Sequence, residues 1–279
     1  GDGPPPKPGA GTAAPRSRAW IASRRADHDI ALQFGRRALE LDPLDPPGAA
    51  GVARTMIEQG EPEQALAILD RALAPDLRDE NLANLASLKG DALDRLGRPA
   101  EAFAAYSDSN EATARRLDRL GAAGETHRAL AERLGREFAA LEAWPADQPG
   151  GDPATAFLIG YPRSGTTLVE NVLASIPEVE ALEERPTLAA GDEYFREGGL
   201  QKLARLSGDR LDSLRSAYWA YVSAAGIDAG GKLFLDKDPL KGLALPLITR
   251  LFPAARIIVM RRDPRDVVWS CFRANFAPC

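Results

Sequence analysis

Cysteine, histidine, long apolar runs and an excess of basic charge are all missing or scarce in this 279-residue chain. Its two cysteines, Cys271 and Cys279, sit near the C-terminal end without metal-ligand spacing, so the sequence gives neither a disulfide framework nor a zinc site. We read them as incidental thiols of a reducing compartment, and no signal-peptide pattern opens the chain, so the expected location is cytoplasmic. No apolar stretch approaches the roughly 18 residues of a membrane span. The formal net charge is −5, which lacks the basic field of a protein that reads nucleic-acid backbones. Any anion site must therefore be local. The two histidines, His28 and His127, fall away from every motif and receive no catalytic role.

What remains is the composition of an ordinary soluble protein, 44% hydrophobic and 27% charged, with a length suited to about two domains. Residues 1–25 open on a Gly/Pro-rich tract, Pro4-Pro5-Pro6-Lys7-Pro8, which buries too little apolar surface to offset its ordering entropy and is expected to be disordered. Over 26–145 the pattern becomes Ala/Leu-rich, helical and self-similar. Ala31, Phe34, Ala38 and Leu39 recur 34 positions later as Ala65, Ile68, Ala72 and Leu73. Gly60, Pro62 and Ala65 return as Gly97, Pro99 and Ala102, now 37 apart. A 34-residue helix–turn–helix period is that of the tetratricopeptide repeat. The third copy, with Gly90, Leu93, Gly97, Ala102 and Tyr106, keeps its internal spacing best. Asp42-Pro43 and Pro75 mark the helix stops, because proline lacks an N–H and clashes with the preceding turn. Residues 111–143 continue as a capping and connecting helix, and 146–152 form a Pro/Gly-rich linker.

The second domain, 153–279, alternates strands with helices. Ala156–Ile159, Lys232–Leu235 and Arg256–Met260 are short apolar runs, and 166–175 and 240–251 are helical. That alternation predicts a parallel sheet covered on both faces. Gly160-Tyr161-Pro162-Arg163-Ser164-Gly165-Thr166-Thr167 follows the first run directly. Its Gly-x4-Gly frame before a helix is that of a phosphate-cradling loop, where backbone N–H groups and the helix dipole converge on an anion. A nucleoside-triphosphate loop needs Lys after the second glycine. Thr166 stands there, which disfavours a kinase, and Arg163 offers a guanidinium fork from within the loop instead.

This segment resembles the 5′-phosphosulfate loop of sulfotransferases, and it is most similar to tyrosylprotein sulfotransferases and to bacterial tetratricopeptide-repeat sulfotransferases. Leu182-Glu183-Glu184-Arg185 resembles the family's Glu-Glu segment, with Glu184 at the position of the catalytic base. Asp236-Lys237-Asp238-Pro239 resembles the Lys-Asp-Pro motif that places Lys237 near the transferring group. Arg262-Asp263-Pro264-Arg265, with Ser270 eight residues after Arg262, looks like the element whose Arg and Ser hold a 3′-phosphate. The resemblance implies an all-α tetratricopeptide solenoid followed by a P-loop-like α/β sulfotransferase domain. It also implies 3′-phosphoadenosine 5′-phosphosulfate as co-substrate without a metal. Arg163, Ser164, Gly165, Thr166, Thr167, Arg262 and Ser270 are then the cofactor ligands, and Glu184, Lys237 and Arg163 the catalytic groups. The acceptor would be a hydroxyl, on a peptide tyrosine, a small molecule or a carbohydrate. A protein or peptide would occupy the repeat surface. The chain starts without Met and stops just past the 3′-phosphate motif, where relatives continue, so it reads as a fragment.

Bland readings stand beside these. Glu183-Glu184 also suits a solvated acidic pair at a helix start. Lys237 could pair at the surface with Asp236 or Asp238, and Arg262 with Asp263 or Asp266. The competing function is a tetratricopeptide scaffold whose transferase-like domain binds nucleotide without turning it over.

Overall fold

The computed structural model describes residues 27–119, 121, 125–145, 154–196 and 199–276. The segment 1–25, the linker 146–152 and Cys279 lie outside the described residues. Contacts divide the chain into two compact units, one of 1–123 with 269–278 and one of 124–268.

The first unit holds α1 (His28–Leu41), α2 (Pro46–Glu58), α3 (Pro62–Ala72), α4 (Asp79–Arg95) and α5 (Pro99–Arg119). Their ends follow from local chemistry. Asp45 caps α2 by accepting from the Gly48 N–H at 2.8 Å, and proline opens α2, α3 and α5, where its missing N–H costs nothing. Among the described residues, helices α2/α3 and α4/α5 form complete pairs, and α1 carries the repeat positions of the second helix of a pair. Each complete pair turns on a left-handed glycine, Gly60 (φ 84°) and Gly97 (φ 69°). The repeated alanines Ala31, Ala65 and Ala102, spaced 34 and then 37 apart, are all buried, as the repeat pattern requires. Within the third copy the small and large positions meet. A Cβ on Gly90 would lie 2.4 Å from the Tyr106 ring, and the Tyr106 hydroxyl donates to Asp91 at 2.8 Å. The proline stops also hold, with α1 ending before Asp42-Pro43 and α3 ending before Pro75. Residues 269–276 complete this unit: Phe272 stacks on Phe103 with centroids 5.1 Å apart, and Asn110 donates to the Phe272 carbonyl at 2.9 Å.

The second unit contains α6 (His127–Ala139), β1 (Thr155–Gly160), α7 (Thr166–Ala174), β2 (Val179–Glu183), α8 (Glu193–Arg196), α9 (Gly199–Ala204), α10 (Gly208–Ala224), β3 (Leu233–Lys237), α11 (Leu245–Leu251) and β4 (Arg256–Met260). Helix α12 (Pro264–Arg273) begins in this unit. The sequence had placed α6 with the repeats. Its Leu134 instead joins the core built on Phe157, Phe234 and Tyr218. The four strands are all parallel in the order β2-β3-β1-β4. Strand β2, which sequence patterning did not mark, carries the Glu-Glu segment.

Side chains alternate across a strand, and β1 shows it cleanly. Phe157 and Ile159 enter one core, while Ala156 and Leu158 enter a second beneath Val169 and Leu173 of α7. The same alternation sends Phe234 of β3 to the first core and Leu235 to the second. Both faces of the central strands are thus covered, as expected of parallel β-structure. Edge strand β4 is more open, with Val259 56% exposed.

We expect Gly90→Ala to destabilise the first unit by about 1–3 kcal/mol, the usual cost of forcing a group into a packed interior. Urea denaturation of the variant against the native chain measures it.

Candidate active site

Register brings the motifs to one edge. Lys237 pairs with Leu158 on one side and with Glu183 on the other, while Gly160 is level with Met260. The loop after β1, the Glu pair, Lys237 and the segment after β4 therefore all leave from the carboxyl ends of the strands, where open α/β sheets bind ligands.

The loop is tightly constrained. A Cβ on Gly160 would lie 2.8 Å from the Met260 carbonyl oxygen and 2.9 Å from Ser164 Oγ, so no side chain fits. Gly165 has φ 102°, and Arg163 has φ 69°. A left-handed conformation costs a non-glycine residue about 1–2 kcal/mol, which the fold accepts at the arginine singled out from sequence. Gly165 precedes α7, and no side chain caps the helix. The Ser164 N–H donates to the Tyr161 carbonyl at 3.1 Å. Ser164 itself is buried, yet its Oγ has no hydrogen-bond partner. An orphaned hydroxyl, a cradle that excludes Cβ and an uncapped helix start together fit a phosphate group.

Next to the loop lies Lys237, which is fully buried. Its Nζ donates to Glu183 Oε1 at 2.6 Å, to Glu184 Oε1 at 2.9 Å and to Thr167 Oγ1 at 3.3 Å. A third carboxylate, Glu170 Oε2 of α7, lies at 3.1 Å. Adjacent strand residues normally point to opposite faces. Glu183 and Glu184 both reach one ammonium because Glu184 leaves β2 in a left-handed turn, φ 46°, while its N–H donates to the Lys237 carbonyl at 2.7 Å. Burial works against the Lys237 charge, but Glu183, Glu184 and Glu170 together outweigh it and hold the pKa above the ordinary lysine value. The surface pairing of Lys237 with its flanking aspartates does not occur, and Glu183-Glu184 ends a strand rather than starting a helix.

Those aspartates serve the other face. Asp236, also fully buried, accepts from Thr187 at 2.8 Å, from Tyr218 at 2.9 Å and from Lys241. The Lys241 ammonium also donates to the Arg185 carbonyl at 2.9 Å. Burial and then the Asp236 charge push the Tyr218 phenol far up. Asp238 caps the following 3₁₀ turn at the Leu240 N–H, 3.0 Å away, and burial raises its pKa. On this side a cleft of about 510 Å³ is lined by Asp238, Lys241, Pro186 and Asp192, with Glu125 and His127. His127 thus lies beside the Lys-Asp-Pro segment, which its position in the sequence did not suggest.

Arg262 follows β4 and pairs with Asp266 at 3.3 Å with its side chain half exposed, while Ser270 lies on α12. The sequence reading missed Glu170, although a single acid three residues after Thr167 in an otherwise apolar helical run was a usable signal. It also missed Asp236, Thr187 and Lys241 as a buried network. Among the described residues no group of His, Cys, Asp and Glu is arranged to hold a metal, and no helix is long and apolar enough to cross a membrane.

Comparison with known proteins finds matches for two segments of the chain. Residues 155–278 match the sulfotransferase family and residues 24–89 the tetratricopeptide repeat. Protein-tyrosine sulfotransferase 1 of Danio rerio is 31% identical over 126 residues, covering 43% of this chain and 35% of that protein. The Homo sapiens protein of the same name is 30% identical over 126 residues, covering 43% and 34%. Nodulation protein NoeE of Sinorhizobium fredii is 31% identical over 136 residues, covering 42% and 31%. The chain spans about a third of the length of these relatives. With the motifs in order on a parallel sheet, the chain carries tetratricopeptide repeats followed, over residues 155–278, by a domain of the sulfotransferase family.

Proposed function

We propose that the domain over 155–278 transfers a sulfuryl group from 3′-phosphoadenosine 5′-phosphosulfate to a hydroxyl acceptor. One observation carries this reading. A phosphate-type loop that lacks the triphosphate lysine lies beside a lysine from a neighbouring strand, fully buried and in reach of a Glu pair. When bound, the co-substrate supplies a sulfuryl group on a phosphate leaving group.

The chain's residues divide the work that follows. Ser164, Gly165, Thr166 and Thr167 hold the 5′-phosphate end, where the orphaned Ser164 hydroxyl has a donor to spare. Arg163 adds a fixed cation to the same loop. Arg262 and Ser270 hold the 3′-phosphate, and Arg262 exchanges its half-exposed pairing with Asp266 for it, a contact worth about 0–1 kcal/mol at the surface. Lys237 turns from the carboxylates to the charge that develops on the leaving oxygen. That turn also releases Glu184, which then accepts the proton of the attacking hydroxyl. Charge and position are enough for such a transfer, as in phosphoryl transfer, so the scheme needs no metal or ATP.

Protein tyrosine is the acceptor that the names of two relatives point to, and we take it as the first to test. The concave face of stacked helix pairs suits a peptide or protein, and presenting the acceptor is the role we assign it.

With labelled co-substrate and a tyrosine peptide, we expect transfer that falls about 10²-fold or more in Arg163→Ala and Glu184→Ala, the range for losing a positioned general base or charge stabiliser. Full activity in both variants overturns these assignments. Calorimetric binding of the desulfated co-substrate without product over a broad acceptor screen indicates the scaffold reading instead. We expect no ATP consumption, and phosphate-release assays check that.

A further inference from the structure

Four acceptors surround one ammonium at the end of β3. An ammonium has three N–H groups, so one acceptor must go without a hydrogen bond. That one is Glu170. Its Oε2 lies 3.1 Å from Lys237 Nζ, within ion-pair reach, yet it receives no hydrogen bond. The three carboxylates also differ in access to water. The side chains of Glu183 and Glu184 are 55% and 54% exposed, whereas that of Glu170 is only 8% exposed.

Charge makes the arrangement uneven. Lys237 of β3 faces Glu170 together with Glu183 and Glu184 of β2, so the cluster sums to −2 when all three acids are ionised. It lies against a loop whose own features fit an anion. If Lys237 turns to a bound anion, Glu183 and Glu184 regain water, but Glu170 loses its cation inside the protein. A buried carboxylate without a partner is costly, and the usual outcome is that it takes up a proton.

We propose that Glu170 is a positioning residue that stores a proton, so that occupation of the loop by a phosphate-bearing ligand is coupled to uptake of one proton from solvent at the Glu170 carboxyl. Lys237 stays an ammonium throughout, and no bond to the ligand is made or broken. The inference rests on reading the loop as a phosphate site. The existing environment already leans this way: burial, first among the causes, and the charges of Glu183 and Glu184 together hold the Glu170 pKa above the ordinary carboxylate value against the lowering by Lys237. The sign follows from linkage. A carboxyl whose pKa rises on binding favours binding at low pH, and affinity falls as pH climbs through the bound-state value, at most tenfold per pH unit for one coupled proton.

The test is titration calorimetry of the whole chain with adenosine 3′,5′-bisphosphate in two buffers of different ionisation enthalpy. The native chain is compared with Glu170→Gln, Glu183→Gln and Glu184→Gln, so that protons from the ligand's own phosphates cancel. We expect the native chain, Glu183→Gln and Glu184→Gln to take up more protons per ligand than Glu170→Gln, by up to one, and the affinity of Glu170→Gln to depend less steeply on pH. Binding with equal uptake in the native chain and Glu170→Gln overturns the proposal and leaves the phosphate reading intact. No binding by the native chain overturns the phosphate reading and the coupling with it. Should circular dichroism show Glu170→Gln unfolded, the other two variants decide. Uptake unchanged in both supports Glu170, and uptake lost in either assigns the proton to the β2 pair and overturns the proposal.

Discussion

A fully buried ammonium is the constraint around which the carboxyl edge of the sheet is organised. Lys237 gives up all its water, and desolvating such a charge costs several kcal/mol unless hydrogen bonds and opposite charge replace the water. The replacements come from three directions: Thr167 and Glu170 on α7, Glu183 at the end of β2, and Glu184 just beyond it. One side chain thereby ties the helix after the loop to two strands. The strand register and the left-handed turn at Glu184 are local means of meeting that demand.

Period-two alternation along β3 sets a second polar layer against the first. Lys237 faces α7, and its neighbour Asp236 faces the opposite core, where Thr187, Tyr218 and Lys241 satisfy it. Two adjacent residues of one strand therefore anchor a charge network on each face of the sheet. Lys241 joins the second network to the chain after β2 through the Arg185 carbonyl. The floor of the candidate site is fixed from both sides, while the side chains of Glu183 and Glu184 stay about half exposed. Arg163 and Glu184, which among the described residues of this unit are the non-glycine residues with positive φ, lie at this edge. Backbone strain of this kind persists where surrounding contacts over-determine it.

Much of the fold was legible because its signals are local. The recurrence at 34 and then 37 residues placed the buried alanines and the turn glycines, and Gly90 with Tyr106 did meet as a small and a large residue. The apolar runs at 156–159 and 256–260 became central and edge strands. Strand β2 was not legible, since Val179-Glu180-Ala181-Leu182-Glu183 carries too few apolar residues to stand out. Its pairing is decided by Lys237 and by its neighbour in the sheet. Helix α6 looked like a continuation of the repeats because its amphipathic pattern says only that one face is buried, not against what.

The sequence by itself determined the kind of chemistry available: a phosphate loop without its lysine, a Glu pair, a Lys-Asp-Pro segment and an Arg with a later Ser, in the order of the sulfotransferase family. Those are properties of residue type and spacing. Tertiary structure alone decided which charges meet. Lys237 left its flanking aspartates for acids more than fifty positions back in the chain, and Glu170 was drawn into the cluster. The reason is physical. A charge that loses its water must find its partners across the fold, and parallel strands joined by long crossovers bring together residues whose separation in sequence gives no sign of it.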